Sequence, residues 1–308
     1  MAEKDKDRAV GTGRPRLPPW LKTKVPSGET FERVNARLRR FGLNTVCTSA
    51  RCPNLDECWN RGTATVMLLG DTCTRRCRFC SVNTGNPRGK ADEEEPARVA
   101  HAVRELGLRY VVLTSVDRDD LADLGASYFA RTVVQVRSQQ SAIGNQNPGS
   151  GRVRVEVLTP DFGVREELVR TVVEAEPDVF GHNIETARRL SPKVRDRRAS
   201  HEGSLDVLRT VKRLAPGMVT KSSLMVGLGE TDDEVVEALS ELRGAGCDVV
   251  TIGQYLRPSR DCLPVERYVE PERFEEWERR ALEMGFRSAF CGPLVRSSYL
   301  ADRVFPGA

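Results

Sequence analysis

Residues 67–85 read MLLGDTCTRRCRFCSVNTG, an apolar run that opens into three cysteines, Cys73, Cys77 and Cys80, spaced C-x3-C-x2-C. Four thiolates close a tetrahedral zinc or iron site; three can hold three irons of a [4Fe–4S] cube and leave the fourth iron open. A zinc ribbon wants a second C-x-x-C pair, and the chain has no other. The loop therefore reads as a metal centre with an open position, with Cys73, Cys77 and Cys80 as metal ligands and catalytic residues together.

Around this loop, strand-like and helix-like segments alternate from residue 63 to 285. The strand candidates are 63–69, 110–115, 153–159, 178–183, 220–226 and 248–254, several of them apolar on both parities, as in a parallel sheet covered on both faces. Between them, one amphipathic helix starts at Pro96 with Val99, Ala102, Val103 and Leu106 on one face. Another starts with the capping box Thr231–Glu234, followed by Val235, Leu239 and Leu242. A third runs from Pro271 through Phe274, Trp277, Ala281 and Met284 to a stop at Gly285. Six βα units predict an α/β barrel or open parallel sheet, and the cysteine loop leaves the first strand at its C-terminal end, where such folds collect their chemistry. There is no Gly-x-Gly-x-x-Gly after the first strand and no P-loop.

The 308 residues, 39% of them apolar, can fill such a core, and no stretch has the length of a transmembrane helix. The first 24 residues are charged throughout with no apolar h-region, so a cytoplasmic enzyme is expected. A formal charge of +4 gives no nucleic-acid footprint. Nine cysteines in a reducing compartment point to metal or catalysis rather than disulfides, and three histidines almost exclude a His-rich zinc site. The domain reading is an N-terminal arm and second cysteine group over 1–62, the βα frame over 63–285, and a tail over 286–308. The polar, glycine-rich stretch 138–152 reads as a solvated surface loop.

The second cysteine group, Cys47, Cys52 and Cys58, has the spacing C-x4-C-x5-C. A second triad beside the first implies a second cluster with another task. Followed directly by the C-x3-C-x2-C loop with Phe79 before its last cysteine, this arrangement resembles the lipoyl synthase family of the radical S-adenosylmethionine superfamily. RLPPWLKTKVPSG (16–28), LTSVDRDDLADLGA (113–126), VEVLTPDF (155–162), FGHNIET (180–186), KSSLMVGLGE (221–230), TIGQYLRPS (251–259) and GPLVRSSY (292–299) resemble the motifs of that family over nearly all of residues 16–302.

The resemblance implies a partial (β/α)6 barrel with N- and C-terminal extensions that hold an auxiliary cluster. It implies S-adenosylmethionine and two [4Fe–4S] clusters as cofactors. Cys47, Cys52 and Cys58 would hold the auxiliary cluster, completed by a serine of Arg-Ser-Ser-Tyr: Ser298, with Ser297 as the alternative. A serine oxygen binds iron more weakly than thiolate, which suits a cluster that is dismantled to give up sulfur. The implied reaction inserts two sulfur atoms into a protein-bound octanoyl chain. The implied partners are an octanoylated lipoyl carrier domain, an electron donor and an iron–sulfur carrier for rebuilding, with no membrane and no nucleic acid. Lys22, Lys24, Arg14 and Arg16 on the arm would suit an acidic carrier domain.

Strand-end polar residues are the candidates for S-adenosylmethionine: Thr114, Ser115, Asp117, Glu156, Asn183, Glu185, Gln254 and Tyr255. Lys221 and Arg296 are candidates for substrate or cluster contacts, and His182 reads as structural. Cys247 reads as buried packing near a helix end, whereas Cys262 and Cys291 fit neither triad. Two rivals remain at this point. A transfer-RNA methylthiotransferase would need an RNA-binding domain, and a zinc-stabilised binding module would bind zinc without cleaving a cofactor.

Overall fold

A computed structural model describes residues 17–22, 29–45, 54–60, 62–141, 152–299 and 301–304. The strands are β1 (Asn44–Thr45), β2 (Thr63–Leu68), β3 (Thr72–Cys73), β4 (Asn83–Thr84), β5 (Tyr110–Ser115), β6 (Arg154–Leu158), β7 (Val179–Gly181), β8 (Val219–Val226), β9 (Val249–Gln254) and β10 (Ser288–Gly292). Eight of them form one sheet in the order β1-β2-β5-β6-β7-β8-β9-β10, with β3 and β4 paired separately. β1 runs antiparallel to β2, and every later pairing in the large sheet is parallel. The helices are α1 (Glu29–Arg40), α2 (Leu55–Asn60), α3 (Glu95–Glu105), α4 (Ala126–Ser141), α5 (Glu166–Val173), α6 (Ser191–Val194), α7 (His201–Leu214), α8 (Asp232–Gly244) and α9 (Pro271–Glu283).

Strand parity divides the sheet into an apolar outer face and a mixed inner one. Outward residues such as Val66, Val111, Leu113, Val155, Val157 and Phe180 pack against Val99, Val103, Phe129, Val169 and Val172 of the helices. Further along, Leu224, Val226, Val250 and Ile252 meet Leu205, Val235, Leu239, Phe274 and Trp277. On the other parity, Tyr110, Val112 and Leu158 surround Ala301, while Val179, Val219, Val249 and Phe290 surround Val304. One short turn, Ala301–Val304, thus touches strands from β5 to β10. A flat sheet of that width could not reach it, so the sheet curls round the turn as a partial barrel.

The expected helix signals are present as local structure. Thr231 accepts from the Glu234 amide and the Glu234 carboxylate accepts from the Thr231 amide, so both halves of the capping box form at the start of α8. Gly285 follows α9 with φ +88°, a left-handed position that favours glycine.

Two boundaries differ from the sequence reading. The parallel series does not stop at β9: β10 pairs in parallel with it over five residues, inside the segment read as a tail. As an edge strand it buries only Ala289, so it lacks the two-sided apolar signal by which the inner strands are recognised. The loop expected from residue 138 starts later, because α4 continues through Ser141; residues 142–151 lie outside the described residues.

Candidate active site

β2 is buried along its length, and Leu69 and Gly70 after it, both at positive φ, turn the chain out of the sheet. The Glu95 carboxylate accepts the Leu69 amide at 2.7 Å and anchors this turn to α3. β3 and β4 then pinch the cysteine loop shut at its base. Two other segments clamp it. The amides of Arg76 and Arg78 donate to the Asp196 carboxylate and the Val194 carbonyl at 2.9 and 2.8 Å, and the Leu263 amide donates to the Arg78 carbonyl at 2.9 Å.

Each thiol of the loop accepts one backbone N–H: Cys73 from Arg75 at 3.4 Å, Cys77 from Asp196 at 3.3 Å, and Cys80 from Val82 at 3.5 Å. Such bonds favour thiolate, the form that binds iron. Burial works against it, raising Cys73 to about 11 and Cys77 to about 12, with Asp117 adding repulsion; Cys80 is raised for the same leading reason. Three sulfurs set up to accept, in surroundings that oppose bare anions, call for a cationic centre that displaces the protons. A cube takes one soft thiolate at each of three corners, and three thiols on one loop are the donor set that suits it.

Beneath it lies Arg75, 6% exposed, which the sequence reading passed over. Its guanidinium grips Asp161 bidentately at 2.6 and 2.8 Å, holds Asp119 at 3.0 Å and reaches Asp117 at 3.3 Å. Despite their burial, Asp119 and Asp161 are held below the usual carboxylate range by Arg75. For Asp117 burial prevails and raises the acid to about 6. The motifs that carry these residues, Thr-Arg-Arg inside the loop, Asp-Arg-Asp-Asp and Thr-Pro-Asp-Phe, were all legible; their convergence was not.

Of the cofactor candidates, the structure brings Asp117 to 3.8 Å from the Cys73 sulfur. Glu185, at positive φ, bears electrostatically on Cys77 and Cys80, and Asn183 donates to its carboxylate at 3.1 Å. The Ser115 hydroxyl, buried at the end of β5, has no hydrogen-bond partner among the described residues. The other four are committed elsewhere. Thr114 donates to the Leu158 carbonyl. Glu156, expected at a strand end, lies inside the barrel, where it accepts from Tyr110 at 2.7 Å and pairs with Lys221 at 3.0 Å. Both charges are almost wholly buried, and each serves as the other's partner. Gln254 spends its amide on the Val226, Tyr255 and Arg267 carbonyls and the Val269 amide, and the Tyr255 hydroxyl donates to Leu263. These two brace the loop that follows β9.

His182 is buried, with its ring between the Thr159 carbonyl and the Ser204 hydroxyl at 2.9 Å each, and burial lowers its pKa to about 4. The unfolded chain takes up this proton near pH 6.5 and the folded chain does not, so stability falls as pH drops from 6.5 towards 4. At pH 5 the loss amounts to about 2 kcal/mol. Urea titrations of wild type and His182→Gln at pH 7.5 and 5 should show a pH slope smaller by that amount in the variant. Equal slopes would mean that His182 is protonated when folded.

A second site gathers where α2 meets the tail. Cys58 on α2 and Ser298 on the tail line one small pocket of roughly 30 Å³ with Asn54, Thr63, Ala64, Thr65, Arg296 and Tyr299. Asn54 donates to the Leu294 carbonyl at 2.6 Å and the Tyr299 hydroxyl donates to Glu57 at 3.0 Å, tying α2 to the tail. The tail can lie this close because Gly253 has no side chain: a Cβ there would meet the Val295 carbonyl oxygen at 2.0 Å. The Thr63 hydroxyl in this pocket is buried without a partner among the described residues. Cys47 and Cys52 lie outside the described residues. Cys247 is packing, buried just past α8; Cys291 lies in β10; Cys262 is buried with its sulfur 3.4 Å from the Cys80 carbonyl.

Known structures share this fold. Methylornithine synthase PylB gives a TM-score of 0.53 at 15% identity, covering 84% of this chain and 77% of that one. The FeFe-hydrogenase maturase HydG from Carboxydothermus hydrogenoformans gives 0.54 at 13% identity, covering 82% and 63%. The family model described as the radical SAM superfamily matches residues 67–242. Curled parallel sheet, three-thiol loop and family match together define a radical S-adenosylmethionine enzyme. Residues 2–52 match the N-terminal domain of lipoyl synthase of that superfamily. Lipoyl synthase from Halorhodospira halophila is 55% identical over 99% of this chain and 88% of its own length, and that from Thermus thermophilus is 55% identical over 94% and 86%. The chain belongs to the lipoyl synthase family.

Proposed function

We propose that the protein inserts two sulfur atoms into an octanoyl chain carried on a lipoyl carrier domain, using Cys73, Cys77 and Cys80 for one [4Fe–4S] cluster and Cys47, Cys52, Cys58 and Ser298 for a second. When bound, the first cluster and S-adenosylmethionine supply a radical able to take hydrogen from an unactivated carbon, and the second cluster supplies the sulfur. Arg75 and its three aspartates keep the loop that would hold the cluster rigid. Asp117 and Glu185 set carboxylates near the loop's thiols, where they would suit the ammonium and sulfonium charges of S-adenosylmethionine. Ser115 offers an unspent hydroxyl at the same strand end. An electron donor and an iron–sulfur carrier complete the set of partners. A reducing cytoplasm suits seven described cysteines without a disulfide among them. No described helix is long and apolar enough to cross a membrane.

The observation that carries the two-cluster reading is that Cys58 and Ser298, at opposite ends of the chain, line one pocket, whereas Ser297 is not among its lining residues. Anaerobically reconstituted Ser298→Ala should lose sulfur insertion and hold its second cluster more weakly, while still cleaving S-adenosylmethionine. Ser297→Ala should keep most activity. The opposite pattern would move the oxygen ligand to Ser297, and no effect of either would remove the serine from the site.

A further inference from the structure

The rim of the cysteine loop carries cations that the fold leaves uncompensated. Arg76 and Arg78 on the loop, Lys193 in α6, Arg197 just beyond it, and Arg257 and Arg260 after β9 are all exposed. None of the six makes an ion pair among the described residues, and Arg257 bonds only to the Cys262 and Arg260 carbonyls. Several other surface arginines are neutralised: Arg189 by Glu234, Arg170 and Arg213 by Glu166, Arg188 and Arg209 by Glu202.

The three segments form one surface. The Arg78 guanidinium donates to the Lys193 carbonyl at 3.5 Å, the Asp196 amide to the Cys77 sulfur at 3.3 Å, and the Cys262 thiol to the Cys80 carbonyl at 3.4 Å. Within residues 76–80, 193–198 and 257–263 the carboxylates are Asp196, which is bound by Arg198, and Asp261. Cys80, exposed, sits amid this collar.

We propose that the collar is the docking surface for an acidic one-electron carrier protein that reduces the cluster held by Cys73, Cys77 and Cys80, an inference that rests on the function proposed above. One electron passes from the carrier's reduced flavin or iron–sulfur group to the oxidised cluster; the carrier is oxidised by one electron and no bond is made or broken. An electron needs only the outer edge of the loop, and that edge bears the charge. A carrier domain must instead deliver its acyl chain towards the pocket of Cys58 and Ser298, whose lining includes none of the collar. Complementary charge of this kind steers association and is weakened by salt.

The test uses the reconstituted holoprotein, an acidic flavodoxin as probe, and the variant Lys193→Glu/Arg197→Glu/Arg260→Glu, whose three side chains bind nothing in the site. Wild type should bind flavodoxin with an affinity that falls as salt rises. The variant should lose at least tenfold in that affinity, along with most of its salt dependence and flavodoxin-driven turnover. With dithionite as reductant, the variant should match wild type in iron content, turnover and KM for an octanoylated carrier domain. Unchanged flavodoxin affinity would overturn the proposal. So would a raised KM for the carrier domain under dithionite, which would assign the collar to the substrate protein. Failure of wild type to turn over with dithionite would instead count against the proposed function.

Discussion

Cys77→Ala should bring both S-adenosylmethionine cleavage and sulfur insertion down to background, with iron falling from about eight to about four per chain. Cys77 is gripped by a segment far from it in sequence, its sulfur accepting the Asp196 amide at 3.3 Å. Two thiolates cannot hold a cube that needs three, and the neighbouring backbone offers no replacement ligand. The informative control is Cys58→Ala. It should lower iron by a similar amount and abolish sulfur insertion, yet still release 5′-deoxyadenosine from S-adenosylmethionine, because the loop of Cys73, Cys77 and Cys80 is intact. If both variants lost cofactor cleavage equally, the two sites would not be separable in the way the structure suggests.

The second large effect is expected at Arg75. Arg75→Met removes the cation that reaches Asp117, Asp119 and Asp161 together and leaves the buried Asp161 without its bidentate partner, while Asp119 keeps Arg198. Breaking a buried ion pair from one side typically costs 3–5 kcal/mol, and for a chain of this size that corresponds to a fall in Tm on the order of ten degrees. Arg75→Lys keeps the charge but cannot grip Asp161 with two nitrogens while reaching Asp119, so it should recover only part of the loss. Asp119 and Asp161 have lowered pKa values in the fold. Their contribution is therefore present above the unfolded carboxylate range and disappears as pH falls through their folded values. The gap between wild type and Arg75→Met, followed by denaturant titration, should accordingly narrow as pH drops below about 4. A gap that stayed constant would mean that Arg75 acts by packing alone.

Much of the architecture was legible because parallel strands and amphipathic helices write different periods into the chain. Tyr110–Ser115 and Val249–Gln254 were recognisable from apolar residues on both parities, and α8 and α9 from the capping box and the glycine stop. β10 was not, since an edge strand that buries one residue in five leaves no such trace. The cysteine loop was legible at once, because ligand spacing is local. The Arg75 cluster was not, because it is assembled from three strand ends and depends on which carboxylates point at one guanidinium. The partners of Glu156, Lys221 and Gln254 were hidden for the same reason: each is a polar residue in a barrel strand, and sequence does not say which neighbour such a residue meets. Ser298 and Cys58 fall in recognisable motifs, but only the fold brings them to one pocket.

The most direct test of the central claim is anaerobic single-turnover mass spectrometry of an octanoyl-lysyl peptide with the reconstituted protein, S-adenosylmethionine and dithionite. The account predicts a peptide that has gained two sulfur atoms on the octanoyl chain, formed without added sulfide. Abundant 5′-deoxyadenosine with an octanoyl peptide that gains no sulfur would contradict it, leaving a radical enzyme that acts on something else.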